Sequence, residues 1–223
     1  MGIILERIKK YNPNLKGFSQ NLSRDGNPVL GLTLPECREI AKELALGDYK
    51  TILKEDFIYY EEQMICGLII GYLKIPFSKT IGLLKDFVTK VDNWAVCDST
   101  ISTLKSFKKN KEEGLKFIDY CFNLKTTFQI RFAYVLLLNY YIEEKYLDYI
   151  FDKITKEELR EYYVQMAVAW LISFLFIKFP KETLVLFDGR LDKFTNNKAI
   201  SKIRESFRVA PEQKEMIKEY RMK

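Results

Sequence analysis

The sequence predicts an all-α fold, and three observations support this prediction. Apolar residues recur at intervals of three and four positions along almost the whole chain, which is the pattern of amphipathic helices. No segment shows convincing alternation of apolar and polar residues, the pattern of a half-buried strand. Pro35, Pro76 and Pro211 stand at expected helix starts, where the fixed backbone angle of proline is favourable.

Thirteen helices are predicted, joined by short connectors. Such connectors favour antiparallel neighbours, and helix pairs recur at roughly 35 to 45 residues, the period of HEAT-like repeats. We therefore expect one HEAT-like α-solenoid domain over residues 1–223, with the second helix of each pair lining a concave basic face. The predicted helices span residues 2–10, 14–24, 35–46, 51–73, 77–88, 92–108, 111–122, 127–142, 144–151, 156–179, 181–186, 196–209 and 211–222.

The composition is that of an ordinary soluble protein, with 48% hydrophobic and 30% charged residues in 223. The longest apolar run, residues 167–177, is shorter than the roughly 20 residues that a bilayer span needs. The N-terminus lacks the basic start, apolar centre and cleavage site of a signal peptide. We therefore expect a cytoplasmic protein with no membrane partner. A solenoid with polar ends need not associate, so a monomer is expected.

The chain contains no histidine, and its four cysteines are widely spaced without a CxxC pair. These two facts exclude a zinc site of the usual spacing and any hydrolase with a Ser-His or Cys-His pair. Proton transfer near neutral pH then depends on other groups, of which carboxylates need the smallest pKa shift. We expect no metal and no cofactor.

Two tryptophans, an aspartate and an arginine stand out, because each lies in an apolar segment with helical patterning. Trp94 and Asp98 are four residues apart, so on a helix they share one face and could receive a flat cation. Arg131 and Trp170 lie in later helix pairs, and in a solenoid all four could converge in one concavity. The alternative is that the indoles are core residues and that Asp98 and Arg131 form an internal ion pair.

Basic residues are concentrated near the C-terminus of a chain whose net charge is +6. Nine Lys and Arg residues lie between positions 193 and 223, among them Lys198, Lys202, Arg204 and Arg208. Spacings of three and four place several of them on common helix faces, which can lie along nucleic-acid phosphates. A solvated helix surface is the alternative interpretation.

Several segments resemble the AlkD-like DNA alkylation repair family over residues 11–210. The resemblance is carried by the contexts of Trp94, Arg131 and Trp170, and by two further segments. These are residues 30–35 with Arg38 and Ala41-Lys42 behind them, and residues 197–200.

The resemblance implies a HEAT-like solenoid that binds double-stranded DNA and excises cationic N3- or N7-alkylated purines without a metal. It implies that Asp98 is the catalytic carboxylate, that Trp94 and Trp170 contact the lesion-bearing nucleotide, and that Arg131 holds the DNA backbone. The DNA-binding residues expected in addition are Arg38, Lys198, Lys202, Arg204 and Arg208.

The segment over residues 16–22 resembles a shorter branch of that family, in which an N-terminal DNA-contacting element is reduced. Three hypotheses follow: an alkylpurine DNA glycosylase that uses Asp98, a DNA-binding relative with little or no excision activity, and a HEAT-like scaffold for a protein partner. DNA binding through several phosphates weakens steeply with salt, whereas a largely apolar protein contact does not.

Overall fold

The computed structural model describes residues 2–11, 28–156 and 161–223, and these residues form thirteen α-helices and no strand. The predicted all-α class is confirmed. The helices are α1 (Ile3–Ile8), α2 (Leu34–Leu44), α3 (Tyr49–Ile52), α4 (Tyr60–Tyr72), α5 (Phe77–Val88), α6 (Trp94–Thr103), α7 (Lys111–Asn123), α8 (Thr127–Tyr140), α9 (Leu147–Lys156), α10 (Tyr162–Lys178), α11 (Pro180–Thr183), α12 (Lys193–Glu205) and α13 (Pro211–Met216). Four short 3-10 segments continue the described chain at Lys105–Lys108, Glu144–Tyr146, Leu184–Phe187 and Ile217–Tyr220.

The chain divides into two compact units, Met1–Tyr120 and Cys121–Lys223. In the first unit α4 packs against α2, α5 and α6. In the second unit α10 packs against α8 and α12. Within each unit, alternate helices therefore lie side by side, as a helical repeat predicts. The single domain expected over the whole chain stays a prediction.

Helix α4 is the centre of the first unit and is buried along most of its length. Its carboxylates Glu61 and Glu62 are buried as well, at 0% and 4% exposure. Glu61 accepts hydrogen bonds from the backbone N–H groups of Leu30, Gly31 and Leu32, the shortest being 2.6 Å from Gly31 N. Gly31 has a φ of +104°, which glycine adopts without steric cost. This buried carboxylate therefore holds the loop that leads into α2.

The loop continues into a complete helix cap. Thr33 is the N-cap of α2. The Glu36 carboxylate accepts a hydrogen bond from Thr33 N at 2.7 Å, and Glu36 N donates to Thr33 Oγ1 at 3.4 Å. Such a capping box satisfies backbone N–H groups that the first helical turn leaves unpaired. The segment 30–35, which carries part of the family resemblance, is thus a structural anchor.

The helix predicted over 51–73 is wrong as one element, since α3 and α4 occupy this range with a turn and an irregular segment between them. The Glu62 carboxylate accepts from Ile58 N and Tyr59 N, both at 2.9 Å, and the Pro28 carbonyl accepts from Tyr60 N at 3.0 Å. The Glu62 contacts are polar and the Pro28 carbonyl comes from a distant part of the chain, so hydrophobic periodicity could not reveal the break.

Two further expectations concern boundaries. The helix predicted from 156 is wrong at its start, because Lys156 ends α9 and Glu161 is the N-cap of α10. The helix predicted over 14–24 and the segment 16–22 lie outside the described residues. No helix within the described ranges combines the length and apolar content required to cross a membrane.

Candidate functional site

Trp94 and Asp98 both lie on α6, as their spacing predicts. The helix begins at Trp94, and Asn93 caps it by accepting from Ala95 N at 2.7 Å and Val96 N at 3.4 Å. Both side chains are half-buried, whereas Val96 and Cys97 are fully buried. Four residues advance a helix by about 40° around its axis. The cap and the helix therefore present an indole and a carboxylate on one accessible face.

Two glycines set the position of α6 against α4. A Cβ atom at Gly67 would stand 2.0 Å from Thr100 Oγ1, and one at Gly71 would stand 1.7 Å from Thr103 Oγ1. Both distances are impossible for real atoms, so this close approach of the two helices requires glycine at both positions. The face that carries Trp94 and Asp98 is thus fixed from behind by α4.

Arg38 lies on α2 and lines a cleft of about 660 Å³ within the first unit. Ser102 of α6 also lines this cleft. Ser102 follows Asp98 by four residues, which is a rise of about 6 Å along the helix. The cleft therefore opens at the C-terminal end of the face that carries Trp94 and Asp98.

Arg131 lies on α8 of the second unit and is buried, with 6% exposure. Its Nη1 donates to the carbonyl oxygen of Tyr163 in the first turn of α10, at 2.9 Å. A guanidinium has five N–H donors, so this bond engages one of them. A charged side chain in an apolar segment needs a partner, and for Arg131 a backbone carbonyl is one such partner.

Trp170 lies on α10 and is half-buried, which distinguishes it from the fully buried Val168 and Leu171 beside it. Its ring makes an edge contact with Phe174, with centroids 6.1 Å apart at 88°. The Arg208 guanidinium lies 4.4 Å from the centroid of Phe174, within the range of a cation–π interaction. Phe174 thus links Trp170 to Arg208. Phe174 was not among the residues predicted from the sequence, although its i+4 spacing from Trp170 indicates a shared helix face.

The remaining basic residues predicted for DNA lie on α12. Lys198 is exposed and Lys202 half-buried on neighbouring turns, while Arg204 follows Lys202 by two residues and points to another side of the helix. Asp192 caps α12 by accepting from Thr195 N at 3.0 Å, and it also accepts from Gln165 of α10 at 3.0 Å. This cap orients α12 against α10.

Asn197 has a structural role in the segment 197–200, which carries part of the family resemblance. Its side-chain amide donates to the Met222 carbonyl at 3.0 Å and accepts from Met222 N at 3.1 Å. The neighbouring Asn196 donates to the Tyr220 carbonyl at 3.0 Å. Both asparagines therefore tie the C-terminal segment to α12, and Lys198 is the residue of this segment that faces solvent.

The environment of the cysteines does not suit a catalytic thiolate. All four are buried and free of disulfide bonds. Burial raises the pKa of Cys66 to about 12 and also raises the pKa of Cys37 and Cys121. Thiolate nucleophiles need a lowered pKa. Within the described ranges, no group of three or more Cys, Asp and Glu side chains is arranged to hold a metal ion.

Comparison with known proteins identifies the family. Residues 5–180 match the family model described as DNA alkylation repair enzyme. The match includes Trp94, Asp98, Arg131 and Trp170, and it ends before α12. No curated protein matches the chain significantly. The matched family indicates a general role in DNA repair and DNA as a binding partner. The chain belongs to the AlkD-like DNA alkylation repair enzyme family.

Proposed function

We propose that the protein is a DNA glycosylase that hydrolyses the N-glycosidic bond of cationic N3- or N7-alkylated purines in double-stranded DNA, without a metal. The observation that carries this proposal is the Trp94–Asp98 face of α6 in a chain of the DNA alkylation repair family. An indole beside a carboxylate suits a positively charged ligand, because both attract cations.

The substrate requires little acid catalysis. Alkylation at N3 or N7 gives the purine a positive charge, which weakens the bond to the deoxyribose and makes the base a good leaving group. When the C1′–N9 bond breaks, the base leaves with the bonding electrons and becomes neutral. Positive charge then develops on the deoxyribose, and an enzyme accelerates the reaction by stabilising that charge.

Asp98 performs this stabilisation in the proposed mechanism. The ionised carboxylate faces the developing cation and orients a water molecule toward C1′. As the water oxygen bonds to C1′, its proton passes to the carboxylate and then to solvent. Trp94 offers an aromatic face to the same cation, worth about 0.5–2 kcal/mol.

In the second unit, Trp170 offers a further aromatic face to the DNA and Arg131 engages the backbone. The bond from Arg131 to the Tyr163 carbonyl fixes the guanidinium plane before DNA arrives, which reduces the entropy lost on binding. Lys198, Lys202, Arg204 and Arg208 add sequence-independent contacts to phosphates.

The test is release of 7-methylguanine from methylated duplex DNA in the presence of EDTA. We expect release by the wild-type protein and at least a roughly hundredfold slower rate for Asp98→Asn, since removing one preorganised electrostatic group costs about 100- to 1,000-fold. DNA affinity should stay within about threefold of wild type, a difference below 1 kcal/mol.

Glu43→Gln is the matched control, because Glu43 is an exposed carboxylate of the same unit that pairs with Arg7 on another surface. Equal release by wild type and Asp98→Asn would remove Asp98 from the mechanism. Binding of DNA without release by either protein would place the chain among the DNA-binding relatives that do not excise.

A further inference from the structure

The cleft beside Arg38 is unusually rich in positive charge. Its lining includes Arg38 and Lys42 of α2, Lys74 after α4 and Lys105 after α6, and it includes no acidic residue. None of these four cations forms a salt bridge with any residue in the part of the chain that the structure describes. Four like charges around one recess repel one another, so the arrangement favours an anion within it.

The acidic residues of α2 are kept away from the cleft. Glu43 pairs with Arg7 of α1, Glu36 is occupied by the capping box at Thr33, and Glu39 interacts with Tyr11 and does not line the cleft. Arg38 and Lys42 are four residues apart and therefore share a different face of the helix. Helix α2 thus separates its charges into an acidic side toward α1 and a basic side toward the cleft.

Three of the four cations have a simpler explanation, which does not extend to Arg38. Lys42 lies in the last turn of α2, and Lys74 and Lys105 follow the C-terminal ends of α4 and α6, where the helix dipole favours positive charge. Arg38 lies in the middle of α2, so no helix end accounts for it. The dipole alone therefore does not explain the quartet.

Arg38 has an unused donor at the cleft, and Lys42 lies beside an aromatic ring there. The Nε atom of Arg38 is buried and has no hydrogen-bond partner in the described structure, which is rare for a buried donor. The Nζ of Lys42 lies 5.7 Å from the ring centroid of Tyr72, another lining residue. A guanidinium with an unused donor and a positioned ammonium are suited to a phosphate.

We propose that this cleft, formed by Arg38, Lys42, Lys74 and Lys105, binds a phosphate group of a nucleic-acid strand. The identification of the strand as the carrier of the phosphate rests on the proposed function. Because Ser102 lies at both the cleft and the Asp98 face, the strand runs from the cleft along α6 toward Asp98. The phosphate is either an internal diester with one charge or a terminal monoester with nearly two.

The test measures DNA affinity of the full chain at 50 and 200 mM salt for wild type and for Lys74→Gln/Lys105→Gln. Loss of one phosphate contact lowers the salt slope by about 0.9, so the fall in affinity between the two salt concentrations should be about 3.5-fold smaller for the double variant than for the wild type. Lys79→Gln/Lys116→Gln is the matched control, since it removes two exposed lysines of the same unit outside the cleft. A wild-type slope in the cleft variant, or equal losses in both variants, overturns the proposal.

The two phosphate sources are separated with nicked duplexes that carry a 5′-phosphate or a 5′-hydroxyl at the nick. If Lys74→Gln/Lys105→Gln binds both duplexes more weakly than the wild type by the same factor, the phosphate is the internal diester. If it binds only the duplex with the 5′-phosphate more weakly, the phosphate is the terminal monoester. If the wild type binds no DNA, the proposed function fails, and the cleft is then tested by titrating inorganic pyrophosphate against the Arg38 Nε–H NMR signal. A signal that moves in wild type but not in Lys74→Gln/Lys105→Gln supports the cleft, and a signal that does not move overturns it.

Discussion

The two units share one arrangement but hold their functional side chains by different interactions. Each has an apolar central helix, α4 or α10, packed against the helix two before it and the helix two after it in the chain. In the first unit, buried carboxylates of α4 bind backbone N–H groups of the preceding loops. In the second unit, the corresponding links are the bond from Arg131 to the Tyr163 carbonyl and a series of aromatic contacts.

The two units therefore differ in how their helices and loops are held. We call the support rigid where one buried carboxylate accepts several hydrogen bonds, and graded where several weak contacts share the stabilisation. A charged hydrogen bond that is lost from a buried site leaves several N–H groups without an acceptor, and the cost is concentrated at one residue. Aromatic and cation–π contacts are individually worth about 1 kcal/mol, so losing one leaves most of the support in place. The candidate catalytic carboxylate lies in the rigid unit, whereas most of the proposed backbone contacts lie in the graded one.

Glu61→Gln should have the largest effect on stability. The neutral amide replaces a carboxylate that accepts from three successive N–H groups. We expect a loss of about 3 kcal/mol in the free energy of unfolding, the range for disrupting buried charged hydrogen bonds. The chain has one tryptophan in each unit, so urea unfolding followed by Trp94 fluorescence in a Trp170→Phe background reports on the first unit.

Glu43→Gln is the control for this measurement. Glu43 is exposed and pairs with Arg7, and surface ion pairs contribute about 0–1 kcal/mol. Similar small losses for the two variants would show that the Glu61 contacts do not hold the loop, and would remove the distinction between rigid and graded support.

Gly67→Ala should have the next largest effect, in the direction opposite to helix propensity. The added methyl would meet Thr100 Oγ1 at 2.0 Å and the Phe87 ring at 2.7 Å, and overpacking of this kind costs about 1–3 kcal/mol. Gly82→Ala is the matched control on α5, since a Cβ there meets nothing within 4 Å. It should instead stabilise the protein by about 0.4–1 kcal/mol. The same sign for both variants, measured by urea unfolding, would contradict the close approach of α4 and α6.

Sequence patterns predicted the all-α class because buried helix faces leave a regular apolar period. They placed α5 at its observed bounds, 77–88. They failed where polar contacts determine the backbone, as before α4, where Glu62 accepts from Ile58 N and Tyr59 N and the distant Pro28 carbonyl accepts from Tyr60 N. Asn93 was predicted inside a helix over 92–108, yet it is the N-cap. An N-cap of this kind depends on one side chain and does not change the spacing of apolar residues along the helix.

The candidate site was predictable in part. Trp94 and Asp98 share a helix face as their spacing predicts, and their catalytic roles stay predictions. The basic cleft was not foreseen, because its cations come from three separate segments of the chain and form no charge run. Nor does local spacing bring Arg208 to Phe174, which are 34 positions apart in sequence. Their contact depends on the packing of α10 against α12.

The contact between Arg208 and Phe174 should give the smallest effect and the most direct measure of graded support. Arg208→Gln, Phe174→Leu and the double variant form a double-mutant cycle, and we expect a coupling of about 0.5–1 kcal/mol in unfolding free energy. Trp170 fluorescence in a Trp94→Phe background reports on this unit. The cycle of Lys198 and Phe194, whose separation is 5.7 Å rather than 4.4 Å, should give a weaker coupling. Additive effects in the first cycle would show that the guanidinium is not held on the ring. Arg208 would then be free to reorient toward DNA, and the support that links it to Trp170 would be absent before binding.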